Sequence, residues 1–278
     1  ELVAVAAINR EVADQARALV EVDFEPQAPI LGIEAGRKPG VKPVYPTRAT
    51  RKKLPNANEA PLLPLKWEGN LRGPFRLFSH HRGKARRAAK QAAQANDPRL
   101  LVQASFKTQT QCHTTLEPHA CVADWREDSL VVHLSTQAVH QSAEDIAKRF
   151  DLPVEQVQVL APYVGGGFGG KAVLALEMVA AVELSRAASR PVRVVLDRHE
   201  ELTVGGNRPA QDLDVALASD AQGKFTGLRA ISHGDAGVAV GSAPSILFRI
   251  MYADTPKQLE DWDVITHAAP GKPLRGPG

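Results

Sequence analysis

The chain has 278 residues, 44% of them apolar and 23% charged, with a formal charge of +3; it is long enough for one large or two ordinary domains with their own cores. That charge is too small to argue for a nucleic-acid partner, and no zinc-finger or RNA-binding aromatic spacing supports one. No stretch approaches the roughly 18 apolar residues of a membrane span, and no signal-peptide pattern is present. The only cysteines, Cys112 and Cys121, form no CxxC and no cluster spacing. Reduced, packed thiols are expected, and any iron–sulfur cluster is expected on another chain or domain.

In chain order, Leu2 to Ile8 reads as a buried strand and Val12 to Val20 as a helix capped by Asn9-Arg10-Glu11, with Val20 to Phe24 alternating as a further strand. From Pro26 to about Asn70 the chain is rich in proline, lysine and arginine without a sustained period, which reads as an extended crossing segment between domains, with room for short strands. Arg82 to Ala95 is helical, and its run of arginines and lysine reads as a solvated face. Leu101 to Thr108 alternates as a strand; Cys121 to Trp125 and Leu130 to Thr136 form a hairpin around Arg126 to Ser129. Ser142 to Phe150 is a helix and Val157 to Leu160 a strand; after the loop that follows, Ala172 to Ala187 is a helix. Val192 to Asp197 is a short strand, and Asp212 to Ser219 pairs with Phe225 to His233. The elements mix α and β around a twisted sheet, without the βαβ rhythm of a doubly wound fold.

The densest signal is Gly165-Gly166-Gly167-Phe168-Gly169-Gly170-Lys171, five glycines in six residues before the lysine. Such a run costs backbone entropy and fills no core, so it marks either a strained turn or a place where backbone N–H groups approach an anionic or oxo-rich ligand. It is not GxGxxG with an acidic residue about 20 positions on, and Ala172 stands where a phosphate loop needs a hydroxyl for magnesium. A ligand other than a nucleotide is the expectation. Glu117 and His119, two positions apart, read as a buried hydrogen-bonded pair with His119 neutral and packed. The spacing of His113, Glu117 and His119 matches no zinc motif.

Four stretches then act together: His113 through Ala120 (HTTLEPHA), Ser135-Thr136-Gln137, Gly165 through Lys171, and Leu274 through Gly278 (LRGPG). In this order and spacing the chain resembles the molybdenum-cofactor subunit of the xanthine dehydrogenase and aldehyde oxidase family of molybdenum hydroxylases. The LRGPG ending and the segment around Arg82 are most similar to bacterial three-subunit aldehyde oxidoreductases. The resemblance implies an α+β chain: the end of an α/β hammerhead domain over 1–35, an extended linker over 36–80, and the first half of a molybdopterin-binding, aldehyde oxidase-like region over 81–278. It implies a molybdenum-pterin cofactor, molybdopterin or its cytosine dinucleotide form. Iron–sulfur clusters and FAD are expected on partner subunits or domains.

By the same resemblance, the Gln137 amide hydrogen-bonds an oxo ligand of the metal. Gly167, Phe168 and Gly169 supply a ring wall and a backbone N–H beside it. Arg275 and Gly276 supply donors from another side, and no protein side chain ligates the metal. Ala172, Ala243 and Pro277 stand where purine-oxidising members hold an orienting glutamate, an arginine and a stacking aromatic; Asp235, Ser242 and Ser245 supply the polarity near Ala243. The implied reaction is oxidation of an aldehyde to a carboxylic acid with water as the oxygen source. Alternatives are a purine or N-heterocycle hydroxylase and a cofactor-free binding or assembly fragment. The general-base glutamate and the second cofactor-binding half are expected beyond Gly278, so the chain reads as a fragment inactive alone, partnered by the rest of its subunit and by iron–sulfur and FAD subunits. A cytoplasmic location is expected, with periplasmic export on a partner's signal as the alternative.

Overall fold

Alternating apolar positions build a four-stranded sheet in the first part of the fold. The structure is a computed structural model and describes residues 3–51, 65–240 and 243–275. Its helices are α1 (Arg10–Ala18), α2 (Ile33–Arg37), α3 (Arg48–Arg51), α4 (Arg82–Gln94), α5 (Val139–Phe150), α6 (Leu176–Ala188), α7 (Arg198–Thr203) and α8 (Ser245–Met251). Its strands begin with β1 (Lys66–Glu68), β2 (Leu71–Phe75), β3 (Leu101–Thr108), β4 (Gln111–Cys112), β5 (Ala120–Trp125) and β6 (Leu130–Leu134). They continue with β7 (Val157–Leu160), β8 (Val192–Val195), β9 (Asn207–Arg208), β10 (Gln211–Ser219), β11 (Phe225–Gly237) and β12 (Lys257–Ile265). The chain divides into two compact units, Glu1–Ala28 with His113–Gly206, and Pro29–Cys112 with Asn207–Gly278.

In the first unit a four-stranded sheet runs β7-β6-β5-β8, with β6 and β7 parallel and the other pairs antiparallel. Cys121 and Ala123 of β5, Leu130, Val132 and Leu134 of β6, and Val157 and Val159 of β7 turn one face inward, as a period of two requires. That face meets Ile146 and Ala147 of α5 and Met178, Ala181 and Val182 of α6 in a single core. Burial pushes the Cys121 thiol up to about 12, so it is an unreactive core side chain. Helix α6 begins four residues later than expected, after the extended Ala175. Helix α1 is capped as expected, Asn9 accepting the Val12 N–H at 2.9 Å. The strands expected beside it do not form: residues 3–8 and 20–24 carry no ladder, and Val3, Ile8, Val20 and Phe24 are exposed. An apolar run becomes a strand only where a neighbouring strand accepts its N–H groups, and among the described residues no strand pairs with either stretch. Leu2 lies outside them.

In the second unit a six-stranded sheet runs β1-β2-β12-β11-β10-β3, with β11 and β12 parallel. The extended segment supplies the short strands β1 and β2, which join this sheet, while the helices α2 and α3 lie in a stretch read as extended. Residues 52–64 lie outside the described set. Helix α4 packs on the sheet, and contact is close because a Cβ on Gly227 would sit 2.9 Å from the Ala85 carbonyl oxygen and 3.0 Å from the Ala88 Cβ. Arg82, Lys84 and Arg87 of α4 face solvent, as expected. No helix among the described residues is long and apolar enough to cross a membrane.

Candidate cofactor-binding site

The glycine run leaves the first sheet after β7 and returns to it at α6, and hydrogen bonds fix its path at both ends. At its start the Gly165 N–H donates to Glu117 Oε2 at 2.6 Å, and the Glu117 N–H donates back to the Gly165 carbonyl at 3.2 Å. A Cβ on Gly165 would lie 2.5 Å from the Glu117 Cβ, so only glycine admits this approach. At its end Lys171 is buried, its Nζ donating to the Glu117 carbonyl at 2.7 Å and to Glu117 Oε2 at 3.1 Å. Ser135 Oγ also donates to Glu117 Oε2, at 2.8 Å. Burial alone raises the Glu117 pKa; the donors from Gly165, Ser135 and Lys171 outweigh it and hold the carboxyl below its usual range. The Gln137 N–H and the Thr136 hydroxyl donate to the Lys171 carbonyl at 3.0 and 3.1 Å, joining the end of β6 to the loop.

Glu117 therefore pairs with Lys171, not with His119. His119 is buried against Glu201 of α7, its Nδ1 lying 2.9 Å from both carboxylate oxygens and its N–H donating to Oε2 at 2.9 Å. Its Nε2 lies 3.2 Å from the Gly170 carbonyl oxygen, so His119 is packed, as expected, but its carboxylate partner is Glu201 rather than Glu117. Burial pushes the Glu201 pKa up, but the ring and backbone donors of His119 and the charges of His119 and Lys171 hold it at about 2. Sequence reasoning passed over Glu201, although the Asp197-x-x-Glu200 capping box before it is a readable helix start.

Between these anchors the loop presents its middle. The Gly169 N–H donates to Gln137 Oε1 at 2.8 Å, and a Cβ on Gly167 would collide with that same amide, 2.4 Å from Oε1. The expected Gly169 N–H thus reaches Gln137 itself. With Oε1 taken, the NH2 end of this exposed side chain is left for a ligand. Phe168 sits at φ +51 and is 46% exposed, so its ring is a wall rather than an aromatic buried beneath the turn. A bulky residue held in the left-handed region is strain that the surrounding hydrogen bonds sustain. The N–H groups of Gly166, Gly167 and Phe168 have no acceptor among the described residues. Ala172 follows directly, half-buried, its N–H donating to the Gly169 carbonyl at 3.3 Å.

The other expected site residues belong to the second unit. Ala243 precedes α8, its carbonyl accepting the Ile246 N–H at 3.4 Å. Arg275 is exposed, with its carbonyl held by Arg208 Nη2 at 2.8 Å; Gly276, Pro277 and Ser242 lie outside the described residues. Asp235 and Ser245 are buried in internal hydrogen bonds, to Thr266 at 2.6 Å and to Asp261 respectively.

A molybdopterin group can be tested against the first unit's donors. They are an amide NH2, three unpaired backbone N–H groups and an aromatic wall, and among the described residues no group of His, Cys, Asp or Glu could hold a metal ion. This set suits an oxygen-rich, anionic group bound by hydrogen bonds and carrying its own metal ligands. The residues present fit.

Comparison with known proteins agrees. Residues 72–278 match the family described as molybdopterin cofactor-binding domain. Over 134 residues, 48% of this chain and 18% of the relative, the sequence is 37% identical to the aldehyde oxidoreductase molybdenum-binding subunit PaoC of Escherichia coli K12. Over 253 residues, 90% of this chain and 16% of the relative, it is 28% identical to xanthine dehydrogenase of Drosophila subobscura. The fold matches quinoline 2-oxidoreductase from Pseudomonas putida 86 with a TM-score of 0.77 at 24% identity, covering 98% of this chain and 32% of that one. It matches the aldehyde oxidoreductase of Desulfovibrio gigas with a TM-score of 0.75 at 20% identity, covering 98% of this chain and 28% of that one. The chain thus spans less than a fifth of these two curated relatives. With its glycine loop, its donor set and its matched span, the chain belongs to the molybdopterin cofactor-binding domain family of the molybdenum hydroxylases.

Proposed function

We propose that this chain is part of a molybdenum-dependent aldehyde oxidoreductase that converts aldehydes to carboxylic acids with oxygen from water, passing electrons to iron–sulfur clusters and FAD on partner subunits or domains. When bound, the cofactor supplies two-electron redox chemistry and activates the water oxygen. The protein's share is to bind, orient and exclude. The Gln137 NH2 donates to an oxygen of the group, and Phe168 closes one side. Arg275 and Gly276, by resemblance, add donors.

The observation that carries the choice of aldehyde is Ala172. The residue leaving the loop is a methyl group with its N–H already spent on Gly169. Purine recognition needs partners for buried polar edges, and each edge left unpaired costs about 1–3 kcal/mol. Ala172 offers none, nor does Ala243, and the relative at 37% identity is named as an aldehyde oxidoreductase subunit. The test is steady-state kcat/KM of the whole enzyme for benzaldehyde and for xanthine with an artificial electron acceptor. Benzaldehyde should be strongly preferred; a value for xanthine at or above that of every aldehyde tried would reverse the substrate assignment.

A further inference from the structure

Glu117 and Lys171 set where the glycine loop starts and ends, but the peptide between Gly170 and Lys171 is gripped from behind by a different pair. Glu201 is 3% exposed and takes both the backbone N–H and Nδ1 of His119. Ionised carboxylates and carbonyls only accept, and both ring nitrogens of His119 face such acceptors, Nδ1 the Glu201 carboxylate at 2.9 Å and Nε2 the Gly170 carbonyl at 3.2 Å. Gly170 also packs closely on the His113 ring, where a Cβ would lie 2.9 Å from Cγ and Cδ2. Two imidazoles thus clamp Gly170. The tight turn closed by the Gly170 N–H on the Gly167 carbonyl at 2.8 Å links this clamp to the Gly169 N–H, which holds Gln137 Oε1.

We propose that Glu201, acting through His119, is a positioning residue for the cofactor-facing donors. It keeps His119 Nε2 on the Gly170 carbonyl, fixes the plane of the adjoining peptides, and so decides which end of the Gln137 amide faces the ligand. The proposal rests on the loop being the cofactor site. Glu201 touches no ligand; its contacts run inward from Gln137 through Gly169, Gly170 and His119.

The experiment uses the whole cofactor-loaded enzyme. His119→Asn keeps a nitrogen near the Nδ1 position, so Glu201 retains a donor, but nothing reaches Gly170. Glu201→Gln sets an amide NH2 among the donors that the carboxylate now receives. Val182→Ala, in the core of the same unit, is the control for lost stability alone. The readouts are the electron paramagnetic resonance spectrum of the partly reduced metal and the limiting rate of reduction by benzaldehyde, both per molybdenum. Both network variants should shift the spectrum and lower the rate about 10-fold, with little change in KM, the scale of losing an outer-shell partner. Val182→Ala should change neither. Loaded His119→Asn and Glu201→Gln proteins that match wild type in spectrum and rate overturn the proposal. If neither variant accumulates, a histidine-labelled 15N spectrum of the wild type decides: a proton on His119 Nε2 supports the bond to Gly170, and its absence removes it. Wild-type enzyme that holds no molybdenum overturns the cofactor reading itself, and this proposal with it, before any variant is made.

Discussion

Gly165 and Gly167 both exclude a Cβ, yet for different reasons. At Gly165 the obstacle is the Glu117 Cβ at 2.5 Å, close to the backbone and unable to give way. At Gly167 it is the far end of Gln137, with Oε1 at 2.4 Å, which can swing aside. Gly167→Ala should therefore cost under about 1 kcal/mol of stability while breaking the Gly169 to Gln137 hydrogen bond. Hydrogen exchange at the Gly169 amide reads this directly: it should quicken at nearly unchanged melting temperature, and unaltered protection would show that Gln137 is not held by the loop. The loop and Gln137 were legible in the sequence because glycine clusters and short motifs are local. Glu201 was not, because it meets His119 from 82 positions away, and no periodicity encodes such a meeting. The pairing within Glu117-Pro118-His119 was misread for the same reason. Neighbours in sequence pointed to each other, while Lys171 and Glu201 offered each a better partner.

At the scale of elements, β5, β6 and β7 follow from alternation, and β12 defies it. Eight of the nine residues of β12 are buried, including Lys257, Gln258, Glu260, Asp261 and Asp263. Their burial is sustained by partners elsewhere in the unit: Arg86 on Gln258 at 2.9 Å, Arg76 on Glu260 at 3.1 Å, Ser232 on Asp261 at 2.6 Å and Arg72 on Asp263 at 2.7 Å. A strand stabilised by ion pairs and hydroxyls has no apolar pattern to read, so it escaped the sequence. The short helices α2, α3, α7 and α8 escaped because four to seven residues carry too little period. In β5, β6 and β7 the alternation marks the core. Leu130 on β6 is fully buried, and Leu130→Ala should destabilise the first unit by about 2–5 kcal/mol, measured as a shift in denaturant midpoint; a cost below about 1 kcal/mol would mean that the core of that unit is not where the structure places it.

Across the whole molecule the shifted carboxylates give stability opposite slopes with pH. In the first unit Glu117 and Glu201 are held below their ordinary value of 4.5, Glu201 at about 2, so their stabilisation is present above that value and is lost as pH falls through the folded pKa. In the second unit burial lifts Asp261 from 3.8 to about 6, against the hydrogen bonds of Ser232 and Ser245. The folded state then binds the extra proton, and this contribution is complete below pH 3.8 and lost as pH rises through about 6. Asp261→Asn keeps the shape without the charge and should flatten the decline in stability between pH 4 and 7; an unchanged slope in that interval would show that Asp261 titrates normally.

We propose that the Gln137 amide, oriented by the Gly169 N–H, meets the molybdenum cofactor. The most direct test is the rate at which a saturating aldehyde reduces the intact enzyme, per molybdenum, in wild type and in Gln137→Ala. The exposed Gln137 can be truncated without opening a core, so the fold and the metal content should hold. The rate should fall by about 10-fold to 100-fold, the range for losing a hydrogen-bond partner beside the metal. A loaded Gln137→Ala enzyme reduced as fast as wild type would contradict the claim.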